Sequence, residues 1–376
     1  MLAMQKKILV TGGAGFIGAH LVAALVLKRH TVRVLDALVP QVHGPGADWP
    51  TWLPPEVERL RRDVSDPEIW HEALRGIDVV YHLGAEVGVG QSMYEIARYM
   101  NANAMGTAHL LQTLVRGKRS LQKLIVASSM SVYGEGAYRA STGETVYPQL
   151  RSSARLAARQ WEMFDHLERP LRPIPTAEDK PLFPTSIYAI SKRTQEEMCL
   201  AVGRAYQIPT IALRFFNVYG PCQALSNPYT GVMAIFSSRL LNGKAPLIFE
   251  DGQQSRDFVH VTDVVQALLL CLERVSANYE AMNVGTGRAV TILDAAKALS
   301  RELRVNVEPQ IVNQFREGDV RHCFADIRKA QRLLGYRPTV TFEDGIGDLV
   351  QWVRRQSADD QLELATAELR ARGLTH

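Results

Sequence analysis

Cysteine is scarce in this chain, with Cys199, Cys222, Cys271 and Cys323 far apart and no CxxC pair among them. That spacing argues against zinc ligation and against a disulfide framework, and it fits a reducing cytoplasm. No metal site is expected. The chain also lacks any lysine-arginine run long enough for a nucleic-acid arm, and 43 Lys+Arg against 39 Asp+Glu leave a formal charge of only +4. Nucleic acid is therefore not an expected partner. Long apolar runs are missing too: residues 1–7 lead straight into an apolar stretch of about five residues, too short for a signal-peptide core or a membrane span. Neither a targeting segment nor a membrane partner is expected.

What is present is an alternation. Short β-branched runs at 7–11, 31–35, 78–83, 123–127 and 210–215 are separated by helical patterns such as 19–27 and 103–115. Such alternation specifies βαβ units and an α/β fold, a doubly wound parallel sheet with helices on both faces. At 376 residues, 46% apolar, the chain exceeds what one core organises, so a second, smaller domain is expected after Asn217, where the pattern becomes irregular. Residues 138–183 interrupt the alternation with a polar, arginine-rich stretch broken by Pro148, Pro170, Pro173, Pro175 and Pro181. Loops of that length are lids or insertions. Within it, 155–167 reads as one helix, and the alanine- and leucine-bearing tail after Arg355, with alternating charges, reads as a solvated helix that is uninformative about chemistry.

The first strand runs into TGGAGFIG at 11–18, and a helix pattern follows. In that context Gly12 and Gly15 allow a tight turn and a close backbone approach to a pyrophosphate, which rests on the free amides of Phe16 and Ile17 at the helix start. Asp36 ends the next strand about twenty residues on, where a carboxylate accepts hydrogen bonds from ribose hydroxyls. Ala37 and Leu38 follow it rather than arginine, which favours NAD over NADP. Asp63 and Val64 suit the adenine edge, although a helix N-cap explains Asp63 nearly as well. Downstream, Tyr188 and Lys192 stand four residues apart, on one face of a helix at about 5–6 Å. An ammonium there favours the phenolate and brings a phenol of pKa about 10 towards neutrality. Loop and pair together point to redox chemistry on a bound nicotinamide.

These residues resemble the extended short-chain dehydrogenase/reductase superfamily and, within it, the nucleotide-sugar epimerases and dehydratases. HLGA at 82–85, NAMGT at 103–107, SSMSVYG at 128–134, YAISK at 188–192, LRFFNVYGP at 213–221, RDFVHV at 256–261 and REGD at 316–319 occur in that family's order. The likeness spans roughly 7–352, the insertion excepted. It implies a Rossmann-type NAD-binding domain at 1–215 and 257–275, a nucleotide-sugar domain at 216–256 and 276–354, and a tail helix at 355–376. It further implies that Ser129 is the catalytic hydroxyl, Tyr188 the base and Lys192 its partner. Leu83, Gly84, Ala85, Val87, Asn103, Ser128 and Phe215 would complete the cofactor site. Helices at 94–114 and 186–205 would pair across a two-fold axis in a homodimer.

The reaction such a trio permits is removal of the proton of a sugar C4 hydroxyl by Tyr188 with transfer of the C4 hydride to NAD, turnover of the 4-keto sugar, and return of the hydride to the opposite face. That is an NAD-dependent nucleotide-sugar 4-epimerase. Similar enzymes that eliminate water carry aspartate and glutamate just after the catalytic threonine, and the related decarboxylases carry the glutamate. Met130 and Ser131 stand there instead and cannot do that work. A 4-ketoreductase or dehydratase, marked by net NAD(P)H consumption or a 4-keto-6-deoxy product, is the alternative reading. A cofactor-binding sensor is another, and the retained trio argues against it. By the same likeness Arg256 and Arg316 grip the diphosphate, with ion pairs to Asp257 and Glu317 as the competing reading. Asp319 would sit near the nucleoside ribose, Asn217 at the phosphate or sugar, Leu247 and Phe249 beside the base, with Val232 close by. Glu86, Gln91, Ser92 and Tyr133 would line the sugar pocket. Val87 and Gly231 replace the lysine and asparagine of UDP-galactose-type relatives. The insertion and GVGQS at 88–92 resemble instead a bacterial subgroup acting on dTDP-L-rhamnose or on other deoxy- and uronic-acid sugar nucleotides, dTDP- or UDP-linked.

Overall fold

The computed structural model describes residues 5–117 and 121–376; residues 1–4, read above as leading into the first strand, lie outside them. Seven parallel strands form the main sheet: β1 (Lys7–Thr11), β2 (Thr31–Asp36), β3 (Glu58–Arg61), β4 (Val79–His82), β5 (Lys123–Ser129), β6 (Thr210–Phe215) and β7 (Ala281–Val284). Their order is β7-β6-β5-β4-β1-β2-β3. Such an order reverses direction between β1 and β4, and ligands bind in the crevice that this reversal opens beyond the strand ends. β1 and β5 are almost wholly buried. That is why they read as continuous apolar runs and not as alternating ones.

The helix α1 (Phe16–Leu27) follows β1 directly. The rod expected at 94–114 begins slightly later, as Ile96–Tyr99, widens into a π-helical turn at Met100–Met105, and continues as α2 (Gly106–Arg116). Widened turns of this kind gather at functional sites, and this one carries Asn103. α3 (Ile187–Ala205) is capped by Ser186, whose hydroxyl accepts from the Ala189 amide, and it brings Tyr188 and Lys192 against the end of β5.

Three expectations need correction. β7 lies in 276–354, assigned above to the smaller domain, yet it pairs in parallel with β6. Met282, Val284, Ala330, Leu334 and Tyr336 pack into the core of the main sheet. The proposed helix at 155–167 shrinks to Ser153–Ala157. Arg159 turns to a positive φ of 57°, and Trp161 and Met163, two residues apart, are both buried in separate clusters. Burial at a two-residue step belongs to extended chain, not to a helix. The tail is not merely solvated: α4 (Leu362–Ala371) buries Leu362, Ala365 and Leu369.

The smaller domain is built from short strand pairs. Leu247–Ile248 pairs with Gln310–Ile311, and Ser255–Arg256 lies between Val290–Thr291 and His322–Cys323. The insertion forms a small antiparallel sheet, Thr145–Val146, Ala137–Arg139 and Arg172–Ile174. A buried charge cluster fastens it to the smaller domain. Arg151 donates to both oxygens of Glu250 at 2.8 Å, and Arg321 reaches Glu250 at 3.0 Å and Asp251 at 2.6 Å, with Glu162 of the insertion as a further partner.

Candidate active site

A cavity of about 610 Å³ opens between the two domains at the strand ends where β1 and β4 diverge. Its floor is the glycine loop. Gly12 adopts φ +67°, and an added Cβ there would lie 2.8 Å from the Gly84 Cα; one on Gly18 would lie 2.1 Å from the Gly12 carbonyl oxygen. Only a bare backbone makes so close a turn. At Gly15 a Cβ would meet nothing nearer than 3.4 Å and would occupy the cradle instead. No side chain caps α1 and no acid stands in its first turn, so its first amides are left for an anion. Gly12, Gly15, Phe16, Ile17, Asp63, Val64, Leu83, Gly84, Ala85, Val87, Ser128 and Phe215 all line this cavity.

Asp36 lines it too. One carboxylate oxygen accepts from the Ala14 amide at 3.0 Å and the other from Leu38 at 2.9 Å, which ties the ribose end to the loop. His43 is the cation nearest to Asp36 in the lining, and burial lowers its pKa below the usual histidine value despite that carboxylate. At neutral pH it is uncharged, so this end offers no charge to a 2′-phosphate, in keeping with NAD. Asp63 accepts from the Ser65 amide at 2.8 Å in a local turn.

Ser129, Tyr188 and Lys192 line the same cavity. Burial pushes the Tyr188 phenol above its ordinary value, and the opposing pull comes from the Ser129 hydroxyl rather than from Lys192. The expectation that the neighbouring ammonium brings the phenol towards neutrality is corrected: burial outweighs any such pull. Lys192 donates to Gln195 Oε1 at 2.7 Å, and burial lowers its pKa to about 8.

Behind it lies a buried polar chain whose proton directions can be worked out. Thr107 Oγ1 gives its proton to the Asn103 carbonyl at 2.7 Å, so it accepts from Gln195 Nε2 at 2.8 Å and from His82 Nε2 at 2.9 Å. His82 Nδ1 then accepts from Thr11 at 2.9 Å, whose oxygen takes the Gly84 amide at 2.9 Å. Burial lowers the His82 pKa to about 3, and the neutral ring has just the one donor and one acceptor used here. The chain links the glycine loop to Lys192 through satisfied neutral groups.

Four expected site residues stand behind the cavity wall and do not line it. Asn103 accepts the Glu86 amide at 2.7 Å and donates to the Glu86 carbonyl at 3.0 Å and to Ser191 at 2.9 Å. Gln91 bonds to Gln41 and Tyr99. Ser92 accepts the Tyr188 amide at 3.0 Å, and Tyr133 bonds to Asn283 at 2.7 Å and Arg214 at 2.8 Å. Buried polar groups take the nearest partner, and here those partners are framework. Ser128 gives its hydroxyl to buried Glu196 at 2.6 Å, which locks the end of β5.

On the substrate side Glu86, Asn217, Val232, Leu247, Phe249, Arg256, Arg316 and Asp319 line the cavity. Arg256 donates to the carbonyls of Ser255, Val320 and Arg321 and makes no pair with Asp257, whose carboxylate is taken up by Thr286, Gly287 and Ala325. Arg316 pairs with Asp319 at 2.8 Å, not with Glu317, and lies over the Phe249 ring at 4.5 Å. Sequence reasoning missed Gln223 and Gln254. Both line the cavity, and with Asn217 each has a buried side-chain oxygen without a partner. An orphaned polar atom facing a cavity is a place for a ligand. The tail residues Leu362, Ala365, Thr366, Leu369 and Leu374 were missed as well, although the apolar spacing of Leu362, Ala365 and Leu369 signals a buried face.

With this geometry in view, comparison with known proteins is informative. The model for the NAD dependent epimerase/dehydratase family matches residues 8–155 and 162–285, so most of the insertion lies inside the matched region rather than outside it. The chain belongs to that family. Its cofactor is NAD. The chain is 37% identical over 353 residues to a dTDP-L-rhamnose 4-epimerase of Burkholderia thailandensis, covering 93% of this chain and 96% of that protein. A UDP-glucose 4-epimerase of Thermotoga maritima solved with UDP-glucose matches with a TM-score of 0.76 at 31% identity, over 93% of this chain and 99% of that one. A UDP-glucuronic acid 4-epimerase of Bacillus cereus, in complex with UDP-glucuronic acid and NAD, matches with a TM-score of 0.75 at 28% identity, over 93% and 99%.

Proposed function

We propose that this protein inverts C4 of a nucleoside-diphosphate 6-deoxyhexose, with dTDP as the favoured nucleotide. The observation that carries the reading is the content of the catalytic wall: Ser129 and Tyr188 face the cavity, and the next two positions are Met130 and Ser131. Oxidation and reduction at C4 need only the hydroxyl and the phenol, whereas elimination needs an acid and a base that are missing there. Bound NAD supplies the acceptor and donor of the C4 hydride. The chain does the rest. Tyr188 Oη takes the proton of the C4 hydroxyl and later gives it back, Ser129 Oγ donates a hydrogen bond to the same oxygen and opposes the burial that raises the phenol, and the Lys192 ammonium, present below about pH 8, adds positive charge to the site where the phenolate forms. Arg256 and Arg316 hold the diphosphate while the sugar turns about it.

The sugar class follows from charge. Among the described residues lining the cavity the cationic side chains are Lys192, Arg256 and Arg316, His43 being neutral, and each of the three has a place at the nicotinamide or the diphosphate. None is left for a C6 carboxylate, which an uncompensated apolar pocket rejects. The dTDP preference leans on the Burkholderia relative. Incubating the protein with dTDP- and UDP-linked hexoses, 6-deoxyhexoses and uronates without added cofactor, and reading C4 by proton NMR, tests the proposal: inversion of a 6-deoxy sugar supports it, and inversion of uronates alone overturns it.

The protein is further proposed to act as a homodimer in a reducing cytoplasm. All four cysteines are free. Among the described residues no helix is long and apolar enough to cross a membrane. Ile96 and Met105 on the α2 rod and Ile190 on α3 are 40–49% exposed, an apolar group that a two-fold partner would cover. Light scattering on Met105→Glu/Ile190→Glu should give a monomer; a mass equal to that of the unaltered protein removes the argument.

A further inference from the structure

The sequence of the tail is uninformative about chemistry. The structure assigns it a part: we propose that α4 and residues 374–376 form the wall that reads C6 of the sugar, selecting a methyl over a hydroxymethyl group. This rests on the nucleotide-sugar reading above and names the residues that set its specificity.

Three fastenings hold the segment in place. Near its start, buried Asp360 pairs with buried Arg239 at 3.1 Å. In the middle, Glu368 Oε2 stands 3.0 Å from the phenol oxygens of both Tyr94 and Tyr229, themselves 2.6 Å apart, and Arg372 lies over the Tyr94 ring at 4.2 Å. At its end, the His376 and Phe315 backbones exchange hydrogen bonds at 3.0 Å and the Glu317 amide donates to Leu374 at 3.1 Å. Arg316, the diphosphate candidate, is therefore held on a segment that the tail bridges at Thr375. A helix that merely coated the surface would need none of these ties.

What the segment turns towards the cavity is apolar: Leu362, Ala365, Leu369 and Leu374 line it, with Thr366 as the one polar side chain from α4. Position along the cavity follows from Gly90. A Cβ added there would meet the Leu369 methyls at 3.3 Å, and Ser92, two residues on, bonds the Tyr188 amide. The Leu369 methyls thus stand over the short helix that bonds the backbone amide of Tyr188, and Val87, Val89 and Met93 of the same stretch line the cavity with them. A methyl group buried against such a surface gains the transfer free energy of an apolar group, while a hydroxyl brought there loses hydrogen bonds to water without replacement.

A single group in an apolar pocket discriminates by roughly 10–200-fold. The test is kcat/KM for a dTDP-6-deoxyhexose and for its 6-hydroxy counterpart, with bound NAD and melting temperature as checks on folding. The intact protein should favour the 6-deoxy sugar by about tenfold or more, and Leu369→Asn should cut that ratio at least fivefold, mainly by slowing the 6-deoxy substrate. Ala365→Ser, a smaller change, should lower it by about two- to threefold. Glu368→Gln, which loosens the central fastening, should raise KM for both sugars several-fold while NAD stays bound. A ratio unchanged within twofold in both Leu369→Asn and Ala365→Ser, with the intact protein active, overturns the wall and leaves the epimerase reading standing. An intact protein that turns over neither sugar overturns the epimerase reading, and the wall with it.

Discussion

Replacing Arg151 by methionine keeps the apolar stem and removes the guanidinium that fastens the insertion to the smaller domain. In the protein this group is 2% exposed and donates twice to Glu250, itself 3% exposed, once to the Trp161 carbonyl at 2.9 Å and once to the Asp319 carbonyl at 3.3 Å. Breaking one half of a buried pair costs about 3–5 kcal/mol, because the remaining charge is left without its partner. Arg321 still reaches Glu250 at 3.0 Å, so the expected loss is at the lower end, about 3 kcal/mol. For a chain of this size that is a fall of about 4 °C in melting temperature. The site should respond as well, since Phe249, Glu250 and Asp319 line the cavity: KM for the nucleotide sugar should rise several-fold with kcat within threefold. Thermal melts followed by intrinsic fluorescence, with steady-state kinetics, give both numbers. Adding Glu250→Gln to Arg151→Met should cost less than the sum of the two single changes. A melting shift under 1 °C together with an unchanged KM would refute the idea that this cluster fastens the insertion to the base wall.

Tyr188→Phe should lower turnover by about 10²–10⁴ while bound NAD, read from the absorbance of the extracted cofactor, stays stoichiometric; full turnover would remove the phenol from the mechanism. Lys192 gives a prediction with opposite signs for activity and stability. Its pKa is lowered from 10.5 to about 8 by burial, so between those pH values the unfolded chain holds a proton that the folded one lacks. This group's contribution to stability therefore rises with pH across that window, and below about pH 8 its full cost, about 3 kcal/mol, is present. Turnover should fall as pH rises through about 8, where the ammonium is lost. Lys192→Met should abolish that limb and most activity at pH 7, yet raise stability there by about 1–2 kcal/mol after the lost bond to Gln195 is subtracted. A less stable Lys192→Met protein in urea unfolding at pH 7 would contradict the burial argument.

Much of the architecture was legible because it rests on period and spacing. β1, β2 and β4 to β6 are apolar runs between helical patterns, the glycines at 12 and 18 follow from a turn that tolerates no Cβ, and the glycine at 15 leaves the cradle open. β7 was not legible: the sequence AMNV is four residues long, and only its pairing with β6 makes it a strand of the main sheet. The site divides in the same way. Ser129, Tyr188 and Lys192 follow from order and spacing. Gln91, Ser92, Asn103 and Tyr133 carry the right chemistry, but their partners lie on other elements, and a sequence cannot show which buried donor meets which acceptor. The same holds for Lys192, whose bond to Gln195 is a three-residue step invisible beside the more familiar four-residue step to Tyr188. The tail was misjudged because its charges were weighed above the spacing of Leu362, Ala365 and Leu369.

The most direct test of hydride removal and return at C4 uses a dTDP-6-deoxyhexose carrying deuterium at that carbon, incubated in ordinary water with no added cofactor and followed by proton and deuterium NMR. The account predicts an inverted C4 that keeps its deuterium, with none released to solvent. An inverted product whose C4 carries hydrogen from water would mean that the carbon loses a proton rather than a hydride, and would contradict the account.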